Sequence, residues 1–105
     1  MTQHEFDETT AALECAAMEI CGAKRPGYTV GSEDVLANFK RIAELTKTSP
    51  EQVCMTYFMK HIYSVVAFLT NPTIPQAEPI QGRMADIINY THLLYALIVE
   101  RAATT

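Results

Sequence analysis

Ser49-Pro50-Glu51-Gln52, followed by VCMTYFMKHIYSVVAFLT up to position 70, is the stretch that decides the fold. Serine offers a side-chain oxygen to the unpaired N–H groups of a first helical turn, proline at N1 has its φ already set, and glutamine at N3 can return a bond to the serine backbone. This capping box predicts a helix over 50–69. Val53, Met55, Phe58, Met59, Ile62, Tyr63, Val65, Val66, Phe68 and Leu69 cover most of its circumference. A helix apolar nearly all round must be buried on more than one side.

Working outward, Pro72, Pro75 and Pro79 break the chain after position 70. A further helix is predicted over 80–101, again apolar nearly all round through Ile87, Ile88, Leu93, Leu94, Tyr95, Leu97, Ile98 and Val99. Toward the N-terminus, Leu13, Ala16, Ala17 and Ile20 form one stripe of a helix over 6–21, with Gly22 placed to end it. Ser32 is a suitable N-cap for a helix over 32–46, whose apolar face is Val35, Leu36, Phe39, Ile42 and Ala43. No segment alternates with period two. The expectation is a single all-α domain over 1–105, a compact four-helix bundle-like unit. Two helices with too few neighbours to cover them predict a homo-oligomer, most simply a two-fold dimer.

Composition narrows the function classes. An apolar share of 49%, a charged share of 19% and a net charge of −4 exclude intrinsic disorder. The longest uninterrupted apolar run, Leu93 to Val99, predicts no membrane span. The acidic, polar opening MTQHEFDETT reads as neither a secretory signal nor a transit peptide, so the expected setting is the cytoplasm. Cys15, Cys21 and Cys54 are odd in number and lack paired spacing, which favours free thiols over a disulfide framework or zinc site. Residues 1–19 carry five acids and no base, while 20–105 hold eight bases against seven acids. That balance argues against long nucleic acid and permits a local basic pocket for a small anion.

Within the apolar helices the polar residues are the informative ones. Tyr57, Lys60, His61 and Ser64 share one face at i, i+3, i+4 and i+7, and Arg83, Asp86 and then Asn89 or Tyr90 form a similar stripe. Either both stripes are solvated faces, or they meet in a polar cavity where Lys60, His61 and Arg83 reach phosphate oxygens and tyrosines stack on a base. Lys24, Arg25 and Tyr28 in the Pro-Gly turn are a second candidate grip, and Asn38, beside Phe39, is a minor candidate. No catalytic residue and no metal ligand is predicted. The histidines have no H-x-x-x-H pair, phosphate-loop and nucleophile-elbow motifs are missing, Cys54 lies two turns from His61, and Glu5 with Glu8 reads as ordinary solvation.

Lys24 and Tyr28, Glu33-Asp34-Val35-Leu36-Ala37-Asn38-Phe39, Lys60-His61, and Gly82-Arg83-Met84-Ala85-Asp86-Ile87-Ile88-Asn89-Tyr90 together resemble the small, often phage-encoded relatives of MazG-like all-α nucleotide pyrophosphohydrolases, over about residues 20–100. The resemblance implies a helical nucleotide-binding fold, usually dimeric or larger, with the ligand between helices. Hydrolysing members hold Mg²⁺ with an E-x-x-E pair on one helix and an E-x-x-D pair on the next. Here the second motif reads Arg83-Met84-Ala85-Asp86, and no acid lies between Glu51 and Glu78. A hard cation needs several oxygen ligands, whereas Lys60, His61 and Arg83 suit a phosphate held without metal.

The leading expectation is therefore a non-enzymatic, cofactor-free protein that binds and sequesters a nucleotide or nucleotide second messenger, with a phage anti-defence role implied by the resemblance. Lys60, Arg83 and His61 are assigned to phosphate, and Tyr28, Tyr57 or Tyr90 to the base. Asp86 and Asn89 go to a ribose or base edge, with Lys24 and Arg25 closing over. One alternative is a degenerate pyrophosphohydrolase using Mg²⁺ on Asp86, Glu78 and Glu14 or Glu19. The other is a structural or protein-interaction module.

Overall fold

The computed structural model describes the backbone of residues 1–29 and 33–104, and the side chains of those residues except 24–29. Four helices account for nearly all of it: α1 Gln3–Thr29, α2 Ala37–Thr46, α3 Pro50–Thr70 and α4 Ile80–Thr104. There is no strand among the described residues, so the all-α expectation holds. Around the bundle the order is α1, α4, α3, α2, with backbones close between neighbours, while α2 and α4 meet across the diagonal through side chains alone.

Helix α3 begins where the capping box places it. The Gln52 N–H donates to Ser49 Oγ at 3.2 Å, and the Ser49 N–H donates to Gln52 Oε1 at 3.1 Å. Helix α4 runs three residues past the expected end. Its last turn carries Arg101, which pairs with Glu51 Oε2 at 2.7 Å and ties the end of α4 to the start of α3. A cation there also suits the negative end of the helix dipole.

The first two helices depart from expectation. Helix α1 does not stop at Gly22 but continues to Thr29. Glycine ends a helix only where the chain turns left-handed; held at helical φ it merely costs about 1 kcal/mol relative to alanine. Helix α2 starts at Ala37 rather than 32, because Asp34 builds a turn first: its Oδ1 accepts the Leu36 N–H at 2.9 Å and its carbonyl accepts the Ala37 N–H at 3.1 Å. Val35 consequently lies outside the helix and is exposed. The proposed cap Ser32 falls outside the described residues. At its other end α2 closes on Lys47 in the left-handed region, φ 56°, with the Thr48 N–H bonded to the Ala43 carbonyl at 3.0 Å. Lys40 bridges Asp34 at 2.5 Å and Glu100, clamping α2 to α4.

The core lies between α2, α3 and α4: Phe39 and Cys54 are fully buried, surrounded by Leu36, Ala43, Val53, Tyr90, Leu93 and Leu97. Among its described side chains, helix α1 buries Ala17 completely and half-buries Leu13, Ala16 and Ile20 on the stripe the sequence picks out. By length and composition α3 is the one helix among the described residues apolar enough to cross a membrane, which the search for one unbroken apolar run overlooks. Within the bundle it buries Val53, Cys54 and His61.

Candidate anion-binding site

The two polar stripes meet in part, through His61 and Tyr57 of α3. His61 of α3 and Arg83, Asp86 and Asn89 of α4 are all buried, Asp86 to 1% exposure and Arg83 to 9%. Residues 83, 86 and 90 follow i, i+3, i+7 spacing, so one face of α4 carries all three toward α3. His61 Nδ1 stands 3.4 Å from Arg83 Nη1 and 3.5 Å from Asp86 Oδ2. These contacts compete for one atom. An unprotonated Nδ1 accepts from the guanidinium, whereas a protonated one donates to the carboxylate.

Arg83 is the least satisfied member. Its Nη1 lies 4.0 Å from Glu78 Oε2, and Glu78 is about half exposed. Its Nε is buried with no hydrogen-bond partner. A buried donor left in this state costs about 1–3 kcal/mol, more on a charged group. Asp86 supplies a nearby negative charge, so the cluster is close to neutral overall.

Aromatic rings wall the cluster on the α2 side. Tyr57 and Tyr90 stack with centroids 6.2 Å apart, Phe39 meets Tyr90 edge-on at 6.4 Å, and the His61 ring lies 5.3 Å from Tyr90. Tyr90 is thus part of the core, and Tyr57 is half-buried beside it. The Cys54 thiol sits 4.0 Å from the Tyr90 carbonyl. Burial, with a smaller contribution from the Glu51 charge, pushes its pKa up to about 11. At neutral pH it stays a thiol and is no nucleophile.

The remaining candidates are dispersed. Lys60 follows one residue before His61, yet successive helical residues diverge by about 100°. Lys60 is exposed, with no side-chain hydrogen bond or ion pair among the described residues. Ser64 is turned back onto its own helix, donating to the Lys60 carbonyl at 3.0 Å. Asn89 faces α1, donating from Nδ2 to the Ala17 carbonyl at 2.8 Å, which makes it a tie between helices. Asn38 is half-buried on α2. Lys24, Arg25 and Tyr28 belong to the last turns of α1, and their side chains lie outside the described ones.

Sequence reading missed a cleft of about 580 Å³ between α1 and α4, lined by the apolar Met18, Cys21 and Ile88 and by Glu14, Asn89 and His92. The available signal was Asn89: a buried amide facing a helix that offers only small residues at Ala16 and Ala17. The carboxylates required by a pyrophosphohydrolase do not converge. Asp86 is sealed beside His61, Glu78 is on the α3–α4 connection and Glu14 borders the cleft. No group of three or more His, Cys, Asp or Glu suited to a metal ion forms among the described residues. Compared with models of known protein families, with curated proteins and with solved structures, the chain matches none.

Proposed function

We propose that this protein binds a small phosphorylated ligand, a nucleotide or nucleotide second messenger, and holds it without hydrolysis. The observation that carries the reading is the Arg83 guanidinium, nine-tenths buried with Nε unpartnered. A phosphate oxygen is the kind of acceptor that would satisfy it, because charge-assisted bonds from arginine to phosphate are strong and directional. His61 stands beside it as a second donor when protonated. Tyr57 offers the half-buried edge of an aromatic stack to a base. Lys24, Arg25 and Tyr28 are proposed to close over the ligand, while Lys60, exposed and turned away from His61, is given no contact. Sequestration fits a chain whose candidate motif carries cations where a hydrolase carries acids. A phage anti-defence role rests on the resemblance alone.

Thermal-shift measurement against inorganic phosphate and a panel of mono-, di- and cyclic nucleotides, with and without Mg²⁺, tests this reading. At least one phosphorylated compound is expected to raise the Tm, by roughly 10 °C at 100 times its Kd. It is expected to be recovered chemically unchanged after heat release. Arg83→Met, which keeps bulk and removes the donors, should abolish the shift while the protein still folds. Turnover of the ligand would move the assignment to the pyrophosphohydrolase, and an unmoved Tm across the panel would refute binding.

A further inference from the structure

The outer side of the α3–α4 pair is apolar at a regular spacing. On α3, Met55, Met59, Ile62, Val66 and Leu69 advance by four and three residues. On α4, Met84, Ile87, Thr91, Leu94 and Ile98 advance by three and four. Alternating steps of this kind keep one seam along a helix and are the pattern with which a helix receives side chains from another helix. These seams are partly open: Val66 is 50% exposed, Leu69 70% and Ile98 51%, while Met59, Ile62, Ile87 and Leu94 are half-buried, Leu94 against the core.

The two seams adjoin. Glu51 and Arg101 are paired across the α3–α4 contact. At about 100° per residue, Ile62 and Leu69 lie within about 20° of Glu51, and Ile87 and Leu94 within about 40° of Arg101. The result is a continuous strip two helices wide. It is also nearly free of charge. Residues 52–99 hold four of the chain's twenty charged residues, namely Lys60, Glu78, Arg83 and Asp86. Arg83 and Asp86 are buried, and Glu78 lies in the connection before α4.

The size of the exposed surface points the same way. The accessible area is 7161 Å². For a mass of 11.7 kDa a folded monomer is expected to expose roughly 5,900 Å², so the chain exposes about 1,300 Å² more. A standard interface buries about 800 Å² on each partner. The radius of gyration, 15.7 Å, likewise exceeds the roughly 13 Å of a compact domain this long.

We infer that the α3–α4 face is the interface of a homodimer, covered by the same face of a second copy about a two-fold axis. In such an interface each residue meets the same surface on its partner, and a strip without charges brings no like charges together. A lipid surface is the poorer occupant. Heptad spacing has no counterpart in fluid acyl chains, and the five acids of residues 1–19 are repelled by anionic headgroups. The dimer stands whether or not a ligand binds at Arg83.

Sedimentation velocity from about 1 to 100 μM, the range in which ordinary dimers dissociate, tests the interface. It should be run beside flotation with neutral and anionic phospholipid vesicles. The expected mass is twice 11.7 kDa, with no vesicle binding. Val66→Glu and Ile98→Glu, both at exposed positions, should each weaken self-association by at least about 100-fold with the helical circular dichroism intact. Two separate helices are probed, so either variant carries the test if the other misfolds. Leu45→Glu, on α2 at 80% exposure, should leave the dimer unchanged. A wild-type monomer at the highest concentration, equal dissociation by Leu45→Glu, or flotation of a monomer with vesicles would each overturn the inference.

Discussion

Helices α3 and α4 each carry two stripes of opposite chemistry, turned opposite to simple hydropathy. His61, Arg83, Asp86 and Asn89 point inward, while Val66, Leu69 and Ile98 point outward. In a small domain at equilibrium with water alone, both placements cost free energy. Buried polar groups must find partners, and large exposed apolar patches are rare on monomers. The inner stripe leaves a guanidinium nitrogen unpartnered, and the outer stripe leaves a seam at helix-packing spacing. The lesson is that the two stripes make different demands: the proposed phosphate ligand would meet that of the inner one, and the proposed second copy that of the outer one.

The largest effect is expected at the centre of the inner stripe. Asp86→Ala would remove the buried carboxylate 3.5 Å from His61 and leave Arg83 with no buried acid in its cluster; leaving a buried charge uncompensated costs about 3–5 kcal/mol. In a domain of this size the Tm should drop by upwards of about 15 °C. A shift below about 3 °C in calorimetry would mean that the stripe is solvated rather than packed. Asn89→Ala should cost less, about 1–2 kcal/mol, by removing the bond to the Ala17 carbonyl. Its signature is regional: amide exchange should quicken along α1 and stay unchanged in α3. Exchange that rises evenly across all four helices would deny Asn89 its role as a local tie.

The smallest effect lies outside both stripes. The hydrogen bond from Lys40, then that from the Leu36 N–H, holds the Asp34 carboxyl below the usual carboxylate range. A depressed acid stabilises the fold above its unfolded pKa near 4, and that contribution fades as the pH falls through the lower folded value. Asp34→Asn should therefore cost about 1 kcal/mol or less at pH 7. Denaturant melts of variant and wild type should converge toward pH 2. A gap that persists at low pH would assign the loss to the turn rather than to the charge.

The start of α3 was legible at Ser49 and Gln52 because a capping box is a local device, complete within four residues. The end of α1 was not, because Gly22 and Pro26 signal a break only where the backbone uses their special conformations, and α1 runs through both. Asp34 carried a readable signal that Ser32 overshadowed: an acid two residues before Leu36 builds an Asx turn as readily as serine caps a helix. The meeting of His61 with Arg83 and Asp86 followed from stripe spacing. Lys60 did not join them, since adjacent residues on a helix face different ways. Which stripe faces inward was not readable at all. Helices apolar nearly all round have two sides able to pack, and tertiary contacts with Phe39 of α2 and with Leu36 just before it choose between them.

Native mass spectrometry of freshly purified protein tests the proposed ligand and the proposed dimer together. The expected species is a dimer of the 11.7 kDa chain carrying the added mass of a phosphorylated small molecule. Arg83→Met should lose the added mass and keep the dimer, while Val66→Glu should do the reverse. A bare monomer, unchanged by either substitution, would contradict the account at both faces.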